Sequence, residues 1–252
     1  MPQNRSRTNH TSSRARSHTS SRANPQRPPE RAERPEPRAG TITAITPQRH
    51  DPERVSVFLD GEFAFGLHAD LVLERGLFAG LALDEATVRD LLAADEIRRA
   101  LATALNALAY RARSEGEIAQ RLRQKGFGPE AIDAALERLR DWRYVDDREF
   151  ASRWIENRQE HRPRSERMLA QELRQKGVDP ATIADTIADA GLDEVADARE
   201  LVAKQRAKLA ALDPETQTRR ITGFLSRRGY GWDVIRQALD ADPDLDLAPD
   251  DL

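Results

Sequence analysis

The pentad Leu-Arg-Gln-Lys-Gly occurs twice in this chain, at 122–126 and at 173–177, 51 residues apart. A degraded copy, Leu-Ser-Arg-Arg-Gly at 225–229, follows after a further 52 residues. Self-similarity at a fixed period is the sequence signature of repeat architectures, so this feature constrains the fold more than any other. The sequence therefore predicts a structural unit of about 50 residues that is repeated three times.

Alignment of the three copies on their glycines places apolar residues in shared columns. The columns before the glycine hold Ile118, Leu169 and Ile221, then Leu122, Leu173 and Leu225; those after it hold Phe127, Val178 and Tyr230, then Ile132, Ile183 and Ile235, then Leu136, Ile187 and Leu239. The first two columns and the last two are four residues apart, which predicts one buried face on each of two successive helices. Glycine favours the corner between them because it adopts a left-handed backbone without a Cβ clash.

Local signals support this helical interpretation. Ser114 and Glu117 form a capping-box pattern, and Pro129 and Pro180 stand where a first helical turn tolerates proline. A further helix is predicted before each copy, at 101–113, about 147–160 and about 193–210. The predicted fold class is therefore mainly α, with tandem three-helix repeats stacked in an elongated, curved array.

The segment before the repeats predicts a small β element. The runs Thr-Ile-Thr-Ala-Ile-Thr and Arg54–Leu67 alternate apolar with polar residues, and Asp60-Gly61 is a strong hairpin signal between strands 54–59 and 62–67. A short helix closed by Gly76 is expected next. The stretch after it is expected to be helical throughout, with one break near Ala94, and strands are not expected beyond it. The apolar stripe of this helix is expected to consist of Leu101, Leu105, Leu108 and Ala112.

Both ends of the chain are biased in charge. Residues 1–40 carry nine arginines against three glutamates, whereas the C-terminal run is rich in aspartate, within a total net charge of −3. The basic segment has few large apolar side chains, so it is expected to be a disordered tail. The predicted divisions are a tail at 1–40, a β-hairpin with short helices at 41–95, repeats at 96–145, 146–191 and 192–240, and an acidic tail at 241–252.

Composition excludes several classes of protein. Charged residues make up 33% and aromatic residues 5%, a balance typical of exposed, charged helices, and the absence of cysteine excludes disulfides and thiolate chemistry. No apolar run approaches the roughly 18 residues of a membrane span, and no secretory signal is evident. The sequence predicts a soluble, cytoplasmic monomer without membrane association.

Catalytic and cofactor motifs are missing from the sequence. There is no phosphate-binding G-x-x-x-x-G-K-[ST] loop, the five histidines are scattered, and the neighbouring carboxylates Asp146 and Asp147 are explained by helix capping. We therefore predict a protein that is not an enzyme and that has no cofactor, metal or catalytic site.

Basic residues recur near the glycine corners and between the helices of the second repeat. They favour either a solvated face, with cations compensating the helix dipole, or a periodic basic ridge that suits a periodic acidic partner. The candidate contact residues are Arg121, Arg123, Lys125, Arg143, Arg158, Arg162, Arg164, Arg174, Lys176, Arg227 and Arg228.

The segment from "LAYRARSEGE" through "WRYVDDREFASRW", with the third corner "RRGYGWDVI", resembles the core of the RecX family of regulatory proteins. The resemblance covers roughly 100–240, and the hairpin at 41–67 is similar to an N-terminal extension of some members. It departs at Arg162-Pro163, where many relatives carry a glycine. The resemblance implies a modulator that lies in the groove of the RecA filament on DNA and dampens ATP hydrolysis and strand exchange, in recombination, DNA repair and the SOS response.

Two other functions stay open from the residues alone. The helix-glycine-helix corners are also compatible with a module that reads duplex DNA directly, although the acidity of the body weighs against it. A helical scaffold without a link to a recombinase is the remaining alternative. The expected partners are the RecA filament and, weakly, single- or double-stranded DNA.

Overall fold

The structure, a computed structural model, describes residues 36–240. Residues 1–35 and 241–252, which include most of the predicted basic tail and all of the acidic tail, lie outside the described residues. The described part is mainly helical, with three-helix units that follow a small N-terminal sheet. The predicted fold class of tandem three-helix repeats after a strand element is confirmed. Within 36–240, none of the helices combines the length and hydropathy that a membrane span requires.

Four antiparallel strands form the N-terminal sheet, in the order β3-β2-β1-β4. The strands are β1 Gly40–Gln48, β2 Asp51–Leu59, β3 Glu62–His68 and β4 Ala82–Leu83, and the short helix α1 Ala69–Glu74 follows β3. Asp60 and Gly61 have φ of 49° and 87°, which matches the turn that an Asp-Gly pair predicts. The sequence did not predict β4, because two residues are too few to show an alternation.

One face of the sheet packs against the first half of α2, Glu85–Leu108. Val57 and Leu67 are fully buried, and Val88 and Leu91 of α2 belong to the same core. Alternation in β2 and β3 turns one set of side chains toward this core, as their sequence pattern predicts.

A buried ion pair fastens the sheet to α2. Asp95, only 4% exposed, accepts hydrogen bonds of 3.0 and 2.9 Å from the two terminal nitrogens of Arg54 and one of 2.8 Å from the backbone N–H of His68. The predicted break near Ala94 is wrong, because α2 runs through this position without interruption. Paired hydrogen bonds satisfy the buried carboxylate, so it does not disrupt the helix.

Three helical modules follow one another along the rest of the described chain, each with its own buried cluster. We call them modules 1, 2 and 3. Module 1 contains the second half of α2 with α3 Glu115–Gln124 and α4 Pro129–Asp141; module 2 contains α5 Asp147–His161, α6 Glu166–Gln175 and α7 Pro180–Ala190; module 3 contains α8 Glu194–Leu209, α9 Pro214–Ser226 and α10 Trp232–Leu239.

The aligned apolar columns form the cores of these modules. Leu122, Leu173 and Leu225 are each 0% exposed, and the columns that begin with Ile118, Ile132 and Leu136 are buried in all three copies. The column after the glycine is less uniform, because Phe127 is only half-buried whereas its two counterparts are buried. The predicted helix faces are therefore confirmed, with this one exception.

The buried face of α2 in module 1 differs from the predicted stripe. Its fully buried positions include Ala100, Ala104 and Ala107, while Leu105 and Leu108 pack at the margin of the core. Ala112 is exposed and lies beyond the end of the helix, so its assignment to the stripe is wrong. Small side chains at the centre allow α2 and α4 to approach each other closely.

A serine caps the second helix of each of the first two repeats, and the sequence predicted the cap at Ser114. The hydroxyls of Ser114 and Ser165 accept hydrogen bonds from the backbone N–H groups of Glu117 and Met168, at 3.1 and 3.2 Å. Pro129 and Pro180 occupy the first position of α4 and α7, as expected. The corner glycines have φ of 87°, 79° and 93°, which confirms the left-handed corners.

We expect Leu173→Ala to lower the free energy of unfolding by about 2–5 kcal/mol, because the side chain is fully buried in module 2. Leu73→Ala is the matched control, since Leu73 is 81% exposed and its truncation should change stability by less than about 0.5 kcal/mol. Urea denaturation followed by circular dichroism measures both. Equal effects of the two substitutions would contradict the assignment of the core face.

Candidate partner-binding surface and module junctions

The second glycine corner packs against the start of α3 in the preceding module. Ser114 is fully buried, and its hydroxyl donates a hydrogen bond to the backbone carbonyl of Lys176, 62 residues later. A Cβ atom on Gly177 would lie only 2.8 Å from the Cα atom of Gly116. Two backbones therefore meet directly at this corner, with no space for a side chain between them.

The third corner repeats this arrangement between modules 2 and 3. The backbone N–H of Ser165 donates to the carbonyl of Arg228 at 3.1 Å, and Arg167 donates a longer bond of 3.4 Å to the carbonyl of Gly229. A Cβ atom on Gly229 would lie 2.3 Å from the hydroxyl oxygen of Ser165. Each of these corners thus receives the helix start of the module before it. We call the two contacts junction 1 and junction 2.

The first corner has no such contact within the described residues. A Cβ atom on Gly126 would meet nothing within 4 Å, and both Gly126 and Lys125 are exposed. Residues 36–84, which precede module 1, form a sheet and one short helix and not a three-helix module. Identical pentads therefore have different surroundings, which depend on what precedes each of them.

A carboxylate from the next module closes each junction. Asp147 accepts a hydrogen bond of 2.8 Å from the backbone N–H of Glu115, and Glu194 accepts one of 2.6 Å from that of Glu166. Burial raises the pKa of both carboxyls, while these backbone hydrogen bonds act in the opposite direction. Each carboxylate lies at a helix start, where free N–H groups and the helix dipole favour an anion.

Lys176 is part of junction 1 and does not face outward. Its Nζ lies 3.0 Å from a carboxylate oxygen of Glu117 and 4.1 Å from the ring centroid of Trp154. Burial alone raises the pKa of Glu117, but the hydrogen bonds from Arg111 and Lys176 outweigh it, so the pKa is lowered overall. This lysine connects module 1 to module 2.

Arg228 has the corresponding role at junction 2. Its Nη1 donates to the carbonyl of Pro163 at 2.9 Å, and its guanidinium stacks 4.4 Å from the ring centroid of Phe224. Burial, followed by repulsion from nearby arginines, lowers the pKa of Arg228. Lys176 and Arg228 are thus turned toward the neighbouring module, because a repeat that stacks buries some of its shared residues. Arg174 and Arg227 at the same corners are exposed, so the predicted basic ridge stays a prediction there.

Two further candidates have partners inside module 2. Arg158 donates a 2.7 Å hydrogen bond to Glu172 and lies 4.2 Å from the ring centroid of Trp154. The Nε atom of Arg164 lies 2.9 Å from the other carboxylate oxygen of Glu172, although the pair is not aligned for a hydrogen bond. These arginines stabilise the fold of their own module, so they are weaker candidates for contact with a partner.

The remaining seven candidates are exposed, and none of them forms an ion pair within residues 36–240. They are distributed over all three modules rather than gathered at one point of the sequence. These residues are Arg121, Arg123, Lys125, Arg143, Arg162, Arg174 and Arg227. Their contact with a partner stays a prediction, and they form the candidate surface.

Module 3 contains a basic groove that the sequence analysis missed. A cavity of about 420 Å³ between α8 and α9 is lined by Arg219, Arg220 and Arg227, with Phe224 and Leu209 among its apolar residues. No carboxylate lines this cavity. Arg219 and Arg220 are adjacent in the sequence and Arg227 follows at i+7, which is the signal that the sequence contains. Only the packing of α8 against α9 shows that the three side chains line one groove. The groove is suited to phosphate groups, which arginine binds well.

Within 36–240, no cluster of three or more histidine or carboxylate side chains is arranged to hold a metal ion. Of the carboxyls whose pKa is raised by burial, Asp147 and Glu194 cap helices at the junctions. A third, Asp197, accepts a hydrogen bond of 2.9 Å from Gln159.

We expect Gly177→Ala to destabilise the protein more than Gly126→Ala does. Both glycines are left-handed, so alanine at either position should lower the free energy of unfolding by about 1–2 kcal/mol. Only the Cβ atom at 177 meets another backbone, which should add about 1–3 kcal/mol. Urea denaturation measures the difference, and equal losses would show that the junction does not depend on this close approach.

We expect Asp147→Asn to gain stability relative to the wild type as the pH rises from about 4 to about 7. Burial raises the pKa of Asp147 in the folded protein, so the wild type loses folding stability as the pH rises above the ordinary pKa of 3.8 and the buried carboxyl ionises. The amide oxygen of asparagine does not ionise and still accepts the hydrogen bond from Glu115. Denaturation across this pH range is the measurement, with the exposed Asp141→Asn as control. A difference that does not change with pH would contradict this account of the junction.

Comparison with known proteins identifies the family. The chain matches four family models: the Regulatory protein RecX N-terminal domain at 40–84, and the first, second and third RecX three-helix domains at 100–139, 146–187 and 193–239. Together these matches cover more than half of the chain.

Relatives named Regulatory protein RecX extend over most of the sequence. The protein from Bacillus subtilis is 32% identical over 200 residues, which is 79% of this chain and 76% of the relative. The relative from Geobacillus thermodenitrificans is 34% identical over 201 residues, covering 78% of this chain and 75% of its own.

Two solved structures have the same fold. The chain matches a crystal structure of regulatory protein RecX with a TM-score of 0.61 and 23% identity, over 80% of this chain and 99% of that one. A crystal structure of RecX from Lactobacillus salivarius matches with a TM-score of 0.52 and 20% identity, over 59% of this chain and 97% of that one. Family models, relatives and fold agree, and this chain belongs to the RecX family of regulatory proteins.

Proposed function

We propose that this protein binds the RecA recombinase filament on DNA and inhibits its ATPase and strand exchange, and so modulates recombination and DNA repair without an enzymatic activity of its own. Membership of a family of regulatory proteins carries this proposal. Because the partner is assembled on the chromosome, the proposed location is the cytoplasm. Contacts with DNA are proposed as secondary to contacts with the filament protein.

The distribution of exposed cations supports a long contact surface. The seven exposed candidates, which form no ion pair within the described part of the chain, are spread over three modules. A partner that extends past one module therefore meets positive charge more than once. Opposite charge on a repeating polymer speeds association and fixes register more than it adds affinity. The junctions join consecutive modules through backbone contacts. They reduce the motion of the modules relative to each other, so less conformational entropy is lost when a partner binds.

Inhibition then follows from bridging. A body whose modules contact successive filament subunits opposes any motion of those subunits that accompanies ATP hydrolysis. A protein bound at a filament end instead opposes the addition of subunits. The basic groove of module 3 has the right chemistry to contact the phosphate backbone of the DNA that the filament carries.

Direct reading of duplex DNA by the glycine corners is less well supported. Two of the three corners contact the preceding module at junctions 1 and 2. The helix pairs at these two corners are therefore not free to enter a groove of duplex DNA. The net charge of −3 also opposes tight binding to bare DNA.

Titration of this protein into RecA with single-stranded DNA tests the proposal, with ATP hydrolysis as the measurement. The full chain and a variant without residues 1–35 are compared, because this deletion leaves the described residues intact. Inhibition by both supports the proposal, and inhibition that requires the deleted segment would assign the activity to that segment. Unchanged hydrolysis at saturating protein would contradict the proposed function.

We expect the pair Arg123→Glu and Arg174→Glu to leave helicity and thermal stability intact but to weaken inhibition of the RecA ATPase by about tenfold. Both side chains are exposed and unpaired within the described residues, so reversal of their charge disturbs only an external contact. The pair Arg75→Glu and Arg236→Glu is a matched control that changes net charge equally, since both arginines lie at a helix end, are exposed and form no ion pair within residues 36–240. Identical inhibition by the two variants would remove Arg123 and Arg174 from the contact surface.

A further inference from the structure

Three consecutive residues form an exposed protrusion between α4 and α5. Trp142 is 52% exposed and Tyr144 is 58% exposed, and their rings meet edge to face with centroids 6.4 Å apart. Arg143 between them is exposed and forms no ion pair within residues 36–240. We call these three residues the Trp-Arg-Tyr knuckle.

The backbone of the knuckle is held in a conformation that suits glycine. Arg143 has a φ of 56°, one of two positive values among the non-glycine residues described. Its N–H donates to the carbonyl of Arg140 at 2.9 Å, and the N–H of Tyr144 donates to that of Leu139 at 2.9 Å, which is the hydrogen-bond pattern that ends many helices with a left-handed glycine. An arginine in this left-handed conformation is less stable than a glycine would be. Such strain indicates that the arginine side chain serves a function other than stability.

The ends of the knuckle are anchored in the core. Leu139 is 0% exposed and Val145 is 5% exposed, and both belong to the core of module 1. The exposed rings are therefore carried on a short segment fixed at both sides, which limits the entropy lost when a partner binds them. Exposed tryptophan, tyrosine and arginine are the residues that most often dominate the energy of protein interfaces.

The charges around the knuckle favour a protein partner over nucleic acid. Asp141 and Asp146 flank it in sequence, Arg138 and Arg148 lie a little further along the chain on either side, and all four are exposed, so the rim carries both charges. The groove of module 3 differs in this respect, because its lining contains three arginines and no carboxylate. An aromatic centre with a rim of both charges is the usual anatomy of a protein-protein contact.

We propose that the Trp-Arg-Tyr knuckle is the main binding hot spot for the protein subunits of the filament, where the two rings enter an apolar pocket and Arg143 pairs with a carboxylate at its edge. This inference rests on the proposed function, because it specifies which part of the partner the surface recognises. It adds Trp142 and Tyr144 to the basic residues of the candidate surface.

The first test is Trp142→Ala combined with Tyr144→Ala, assayed for inhibition of the RecA ATPase and for binding of a bare labelled oligothymidylate. We expect the half-inhibitory concentration to rise at least about tenfold, with oligothymidylate binding and the thermal midpoint unchanged. Tyr110→Ala is the matched control, because Tyr110 is 91% exposed and lies outside the knuckle. It should change inhibition by less than about twofold.

The second test is Arg143→Gly, which separates a binding role from a structural one. Glycine relieves the left-handed backbone, so the thermal midpoint should rise by about 2–4 °C while inhibition weakens. A residue kept for structure alone would show the opposite combination, lower stability with unchanged inhibition, and that result overturns the inference.

The remaining outcomes are also distinguishable. If the double alanine variant inhibits as well as the wild type, the knuckle is not the binding hot spot, and the proposed function is unaffected. A parallel loss of oligothymidylate binding overturns the inference in favour of a nucleic-acid surface. If the wild-type protein itself does not inhibit, the proposed function fails and this inference fails with it.

Discussion

The contact between a glycine corner and the helix start of the preceding module is the constraint on which the helical part of this structure depends. At junction 1 the backbones of Gly116 and Gly177 approach too closely for any side chain, and the buried hydroxyl of Ser114 satisfies the carbonyl of Lys176. A corner carbonyl accepts from the Ser114 hydroxyl at junction 1 and from the backbone N–H of Ser165 at junction 2. The free N–H groups at the same helix starts are satisfied by Asp147 and Glu194 of the following helices.

This constraint also divides the basic residues into two groups. Lys176 and Arg228, which follow the repeat most closely, are used inside the junctions, whereas Arg123 on α3 and Arg174 on α6 remain outside. A cation with a carboxylate or an aromatic ring nearby is held in place and is not offered to a partner. One motif therefore places some of its cations in the contacts between modules and leaves the neighbouring cations exposed to solvent.

Much of this organisation could be predicted from the chain. The hairpin at Asp60-Gly61, the cap at Ser114 and the columns of buried residues all follow from local chemistry and periodicity. The break near Ala94 was wrong because Asp95 finds a partner in Arg54, 41 residues earlier, and no local pattern reveals such a pairing. The groove of Arg219 and Arg220 was missed for a similar reason, since a cavity between two helices depends on how they pack.

The sequence by itself determined the period, the helix faces, the corner positions and the family, because these depend on the spacing of side chains along a helix and on residues that tolerate a left-handed backbone. Tertiary structure alone decided which basic residues face solvent, that two corners serve as junctions, and that Trp142 and Tyr144 stand exposed around a strained Arg143. The physical reason is that a repeated motif specifies the same local shape each time, while its exposure depends on the module that comes before it. Within residues 36–240 the first copy contacts no such module.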